Sequence, residues 1–209
     1  MKTSRLFLVR HAETSANIDQ VWHGDTDTEL TDHGVSQIVR LGEGFHEVVR
    51  PDVIYSSPLI RTRRTAGAIA DKFNLEVIAD KRLMEMAMGE WEGISYHELH
   101  ETHDALRQLR DNPEFCGPGG ESPRDVKTRM VEAIDDIVAK HPGENIVVVT
   151  HGVAIAMTLA HLVHNDLSRW FEFNSHNTGI TELCLETKGL LFFNQTDHLG
   201  DEERLVTGG

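Results

Sequence analysis

Residues 146–150 read IVVVT, an apolar run in which no polar residue alternates with the apolar ones. A run of that kind is buried on both faces, as the strands of a parallel sheet are and those of a half-solvated antiparallel sheet are not. Residues 6–9, LFLV, have the same character. Each run stops abruptly: Arg10-His11 follows the first and His151-Gly152 the second. A buried strand normally hides nothing charged, so a histidine at its end has three readings. It is a metal ligand, a core histidine, or a catalytic group at the mouth of a sheet.

Further strands are expected at residues 52–55 and 75–78, and a terminal hairpin at 179–186 and 190–195 with Lys188-Gly189 at its turn. Helical patterns fall between them. Thr31 caps a helix carrying Val35, Ile38, Val39, Phe45, Val48 and Val49 at helical spacing, closed by Pro51. Ser57-Pro58 starts a second helix, with proline at its first position, running to about residue 73. Ser122-Pro123-Arg124-Asp125 has capping-box spacing and starts a third, to about residue 141. A fourth follows His151-Gly152 to about residue 162. Residues 81–120 break this rhythm with Met84, Met86, Met88, Trp91 and a helical stretch around 96–109, left through a Gly117-Pro118-Gly119-Gly120 hinge. The expected fold is α/β: a three-layer α/β/α arrangement with a mainly parallel central sheet. The domain reading is a single domain over residues 1–209, with a small helical cap insertion at about 81–120 and a frayed end at 207–209.

The 209 residues are 39% apolar, enough for a sizeable core. The net charge of −14 disfavours nucleic acid and an anionic membrane surface as partners. It leaves room for a small anion held by a local cationic pocket. Two distant cysteines, Cys116 and Cys184, make neither a disulfide framework nor a zinc motif. The N-terminus does not read as a signal peptide, and no apolar run approaches the ~20 residues of a membrane span. The expected location is cytoplasmic, and a homodimer is left open.

Ligands of open α/β sheets bind outside the carboxyl ends of the strands. His11 and His151 both lie there. Arg61 lies at the same edge, in the first turn of the helix after the 52–55 strand. Arg10, His11, Arg61 and His151 can therefore converge on one anion. His97, His100 and His103 sit three apart on one helix and fan over its surface, so they read as solvated or rim residues rather than metal ligands. His161 and His164 read the same way. The GPGGES stretch is no phosphate loop, because no Gly-Lys-Ser/Thr follows it.

These residues resemble the histidine phosphatase superfamily, also called phosphoglycerate mutase-like. The resemblance runs in order along nearly the whole chain. It takes in Arg10-His11-Ala12-Glu13-Thr14 with Asn17, Trp22-His23-Gly24, and Ser56-Ser57-Pro58-Leu59 with Arg61. It continues through Glu85, Gly89-Glu90-Trp91-Glu92-Gly93, Gly119-Gly120-Glu121-Ser122, Thr150-His151-Gly152, Asn177 and His198-Leu199. It implies hydrolysis of phosphate monoesters through a phosphohistidine. His11 is then the nucleophile, Glu85 the general acid and base, and His151 a catalytic partner. Arg10, Asn17, His23, Gly24, Arg61 and Gly152 gather around the phosphate. Neither metal nor other cofactor is implied, and the partner is a small phosphate ester.

Three departures bear on the substrate: Ala12 replaces a commoner glycine, His23 stands where glutamine is common, and Met88 occupies a place where a polar residue could grip a carboxylate. With Trp22, Trp91 and Tyr96 these favour an apolar pocket rim. A phosphatase reading follows. A cofactor-dependent phosphoglycerate mutase and a non-catalytic phosphate-binding protein of the same fold are the alternatives.

Overall fold

The computed structural model describes residues 4–187 and 189–200; Lys188 of the expected hairpin turn and residues 207–209 lie outside them. Six strands form one sheet in the order β3-β2-β4-β1-β5-β6. They are β1 (Arg5–Arg10), β2 (Val53–Ser56), β3 (Val77–Ala79), β4 (Asn145–Thr150), β5 (Ile180–Cys184) and β6 (Gly189–Gln195). The β1–β4, β4–β2 and β2–β3 pairs are parallel, and β5 pairs antiparallel with both β1 and β6. The sheet is thus mainly parallel, as the unalternating apolar runs require.

Successive side chains of a strand point to opposite faces, and both faces are covered. Leu6, Leu8, Ile146 and Val148 pack with α6 (Pro123–Lys140) and α7 (Gly152–Leu159). Phe7, Val9, Val147 and Val149 pack with α2 (Asp32–Val48) and α3 (Ile60–Phe73) on the other side. Three layers result. Among the described residues, no helix is long and apolar enough to cross a membrane.

Thr31 and Ser122 cap α2 and α6 as their sequence contexts indicate, the latter in a full capping box with Asp125. The inward face of α2 differs from expectation. It consists of Gly34, Gln37, Leu41, Gly42 and Phe45, whereas Val39 is 51% exposed. Close backbone approach decides this. A Cβ on Gly34 would lie 2.1 Å from the Glu13 carbonyl oxygen, and one on Gly42 would lie 2.4 Å from that of Ala68. Helix α3 starts at Ile60 rather than at Pro58, because Leu59 is extended (φ −66°, ψ 145°), and the free Ile60 N–H donates to Asp27 Oδ1 at 2.7 Å.

Residues 81–120 begin with a 3₁₀ turn, Lys81–Leu83, and continue as an irregular strap to a second, Gly89–Trp91. The expected single helix around 96–109 is two, α4 (Tyr96–His103) and α5 (Ala105–Asp111). The chain breaks at Asp104, which adopts a left-handed conformation (φ 49°). The glycine-rich stretch is fastened rather than hinged. Glu90 N–H donates to Pro118 O, Glu121 N–H donates to Ala87 O, and a Cβ on Gly120 would meet Ala87 O at 2.8 Å.

Gly42→Ala tests the close approach of α2 to α3. Helix propensity alone favours alanine by about 0.8–1 kcal/mol, and overpacking costs about 1–3 kcal/mol. The clash here is with a backbone oxygen, so the net expectation is a lower urea midpoint at unchanged m-value. A higher midpoint would show that the two helices separate freely.

Candidate active site

The register of two strands assembles the centre. Arg10 lies opposite Thr150, so the residues that follow them leave the sheet side by side. His11 N–H donates to Thr150 O at 3.0 Å. The two imidazoles meet edge to face with centroids 5.2 Å apart. Strand β2 pairs with β4 through Ser56 and Val149, which delivers Ser57 to the same edge. Asn177 fastens the His11 loop, its Nδ2 donating to His11 O at 2.9 Å.

Partner chemistry fixes both tautomers. His11 Nδ1 lies 2.7 Å from the Ala12 carbonyl oxygen. A carbonyl only accepts, so Nδ1 carries the hydrogen and Nε2 keeps its lone pair. Arg61 Nε donates to His151 Nδ1 at 3.3 Å, so the His151 hydrogen is on Nε2, 2.9 Å from Ser57 Oγ. Burial is the main cause that pushes both imidazoles well below the ordinary range, and the Arg61 cation adds to it.

Arg61 is 2% exposed. Besides His151 it donates to the carbonyls of Thr26 (2.8 Å), His23 (3.2 Å) and Gly24 (2.9 Å). Arg10 donates through Nη1 to Ser175 O at 2.5 Å, while its buried Nε has no partner. Gly152 gives that guanidinium room, since a Cβ there would sit 3.3 Å from Arg10 Cζ. Asn17 Oδ1 accepts from the Thr14 N–H and hydroxyl. Its NH₂ group is therefore what Asn17 offers an anion.

Glu85 sits on the irregular strap, 8% exposed. Its Oε1 accepts from Met86 N–H (3.0 Å) and Ala154 N–H (2.9 Å), and its Oε2 from Val153 N–H (3.0 Å). The carboxylate thereby caps α7, whose own N-cap residue, His151, makes no side-chain cap bond.

Arg10, His11, Asn17, His23, Arg61, Glu85 and Gly152 line one cavity of about 430 Å³. Two sequence-expected residues do not reach its wall. His151 is fully buried behind His11, and its one N–H is taken by Ser57, so as placed it has none to offer an anion. Gly24 is a packing position. Its N–H is held by the Glu92 carboxylate at 2.9 Å, and a Cβ would lie 2.1 Å from Met86 O. The outer wall adds residues that the sequence did not single out, chiefly Leu106, Trp170, Phe171 and Phe173. The aromatic cluster Trp170-Phe171-Glu172-Phe173 was the available signal. Of the surface histidines, His97 and His100 lie near Glu101 and Asp104, and His103 stacks on Trp91 at 5.0 Å.

The profile of the histidine phosphatase superfamily (branch 1) matches residues 6–196. Phosphoserine phosphatase 1 of Hydrogenobacter thermophilus is 34% identical over 203 residues, covering 94% of this chain and 95% of the relative. Glucosyl-3-phosphoglycerate phosphatase of Mycobacterium tuberculosis is 30% identical over 179 residues, covering 81% and 80%. Phosphoglycerate mutase-like protein 4 of Arabidopsis thaliana is 38% identical over 157 residues, covering 73% and 68%. The crystal structure of a phosphoserine phosphatase from Entamoeba histolytica in complex with 3-phosphoglyceric acid superimposes with a TM-score of 0.84 at 29% identity, covering 94% of this chain and 100% of that one.

The depressed imidazoles set a pH dependence of stability. Below the ordinary range the unfolded chain binds protons that folded His11 and His151 refuse, so ν_U exceeds ν_N and stability falls with falling pH. Their contribution is whole above ~6.5 and declines below it by about 1.4 kcal/mol per pH unit for each ring. Urea midpoints between about pH 8 and about pH 5 are expected to fall more steeply for the wild type than for His151→Gln. Equal slopes would refute the buried neutral state of His151.

Proposed function

The chain belongs to the histidine phosphatase superfamily (branch 1) and is a phosphoric monoester hydrolase; we propose that His11 carries the phosphoryl group and that the alcohol released is largely apolar. The observation that carries this reading is the His11 tautomer: its Nδ1–H is tied to Ala12 O, leaving Nε2 as the free nitrogen of a ring that lines the cavity.

The chemistry follows from the parts. His11 Nε2 attacks phosphorus as the bond to the leaving oxygen breaks. Phosphate esters are among the slowest substrates to hydrolyse unaided, and a covalent intermediate divides the barrier. Arg10 and Arg61 face the charge on the transferring group. At an effective dielectric near 20, each close pair is worth roughly 4 kcal/mol before desolvation, and this field is built before substrate arrives. His151 acts from behind, through its contacts with His11 and Arg61 Nε. Glu85 protonates the departing alkoxide. Oε2 suits that role, because it accepts a single N–H and keeps a lone pair for the proton. A water then attacks the phosphohistidine, gives its proton to Glu85, and returns His11 to its neutral form.

Beyond the phosphate end, the cavity wall is mainly apolar, with Trp22, Tyr96, Leu106, Val153, Trp170 and Phe173, and Thr28 and Asn174 are its polar members. Among the described residues it holds no lysine, and its arginines are the two at the phosphate end. A substrate carboxylate, as in phosphoserine or phosphoglycerate, finds no separate cation there. Each buried methylene of an apolar alcohol gains about 0.8 kcal/mol. The mutase alternative is not favoured. The phosphatase relative is matched over 95% of its length and the mutase-like one over 68%.

Isotopically labelled ester, quenched rapidly, is expected to leave acid-labile label on the wild type and none on His11→Ala; label on the variant would reject the nucleophile. Glu85→Gln is expected to cut turnover of an alkyl phosphate by about 10²–10⁴, and near-wild-type turnover would remove Glu85 from the reaction. Benzyl phosphate is expected to exceed phosphoserine in kcat/KM by about 10-fold or more. Preference for phosphoserine would overturn the apolar-alcohol reading and leave the hydrolase intact.

A further inference from the structure

The strap that carries Glu85 has an unusual support. Between its two 3₁₀ turns it belongs to neither helix nor sheet, so its carbonyls need donors from elsewhere. One side chain on α6 serves two of them, and a third in the turn before. Arg129 Nη1 donates to Arg82 O (2.8 Å) and Met84 O (2.6 Å), and Nη2 donates to Glu85 O (2.9 Å). Its two remaining N–H groups go to Glu121, from Nη2 to Oε2 at 2.8 Å and from Nε to Oε1 at 2.7 Å. All five hydrogens of the guanidinium are engaged. Glu121 closes the loop by accepting Ala87 N–H on Oε2 at 3.0 Å. Neither side chain lines the cavity.

We infer that Arg129, oriented by Glu121, is the positioning residue of the general acid. The inference rests on the reading of Glu85 as that acid. Glu85 is held at two ends: its carbonyl is gripped from α6 by Arg129, and its carboxylate is gripped by the first N–H groups of α7. With both ends anchored, the reach of Oε2 toward the leaving oxygen is set by the distance between two helices rather than by a loose loop. Removing the Arg129 end leaves the carbonyls of Arg82, Met84 and Glu85 without these donors and lets the strap drift. Lysine cannot replace the fork, because its three donors radiate from one point while these acceptors lie across a plane.

A merely structural Arg129 would lower activity on every ester alike. A positioning residue for the acid would not, because a good leaving group departs without a proton. The experiment measures kcat/KM of the wild type, Glu85→Gln, Arg129→Met, Arg129→Lys and the Glu85→Gln/Arg129→Met double variant. Benzyl phosphate is the ester that needs the acid, and dinitrophenyl phosphate the one that does not. Arg129→Met is expected to lose about 100-fold on benzyl phosphate and less than about 5-fold on dinitrophenyl phosphate. Arg129→Lys is expected to show the same split in smaller measure. The double variant is expected to lose no more on benzyl phosphate than Glu85→Gln alone, since the acid is already absent. Equal losses on both esters, or additive losses in the double variant, would overturn the inference about Arg129. If Glu85→Gln itself shows no split, the reading of Glu85 fails, and this inference with it. If Arg129→Met does not fold by urea titration, Glu121→Gln tests the same clamp. It leaves the guanidinium in place while the Oε2 site that accepts both Ala87 N–H and Arg129 is disturbed, and the same split, or its absence, decides.

Discussion

A guanidinium buried to 2% exposure is the constraint on which this site is built. An ion taken out of water costs several kcal/mol unless its donors are answered. Arg61 is answered by three carbonyls of the loop after α1 (Ser15–Ile18) and by His151 Nδ1. Each answer has a structural effect. The carbonyls wrap residues 23–26 around the cation and bring His23 to the cavity wall. The bond to Nδ1 fixes the tautomer of His151, which sends its hydrogen to Ser57. Charge repulsion from Arg61, added to burial, keeps the neighbouring His11 unprotonated. All of these partners are neutral, so the positive charge remains for a dianion.

The sheet and the edge of the site were legible because they depend on simple patterns. Unalternating apolar runs gave the parallel core, and the residues just past them, Arg10, His11 and His151, fell at one end. Three features were less legible, for identifiable reasons. The inward face of α2 is chosen by the close approach of Gly34 and Gly42 to neighbouring backbone, so counting valines pointed to Val39, which faces solvent. Glu85 lies on a strap without periodicity, and only its resemblance to a family motif singled it out. Gly24 was placed at the phosphate by the same resemblance, and His151 by its position just past a buried strand. Their hydrogen bonds, to Glu92 and Ser57, are tertiary and have no signature along the chain.

The sign of the molecule and the sign of its cavity are opposed. The chain carries a net charge of −14, yet Arg10 and Arg61 are the charges that face His11. At physiological ionic strength charges are screened beyond about 8 Å, so the acidic exterior acts weakly on a small ester that has reached the mouth. Inside, between the low-dielectric walls of Trp22, Tyr96 and Phe173, the two cations act with less screening. Local geometry, and not the overall balance, governs which ions are held.

The proposed acid and the proposed nucleophile hang from different parts of the architecture. His11 is anchored to the sheet through Thr150, whereas Glu85 rides on the excursion between β3 and α6, which also supplies Tyr96 and Leu106 to the outer wall. In the proposed function the phosphate grip and the alcohol recognition are therefore separable modules. On that reading, rebuilding the excursion would change which alcohol fits and how its proton arrives, while the address of the transferred group stays written in the strand register.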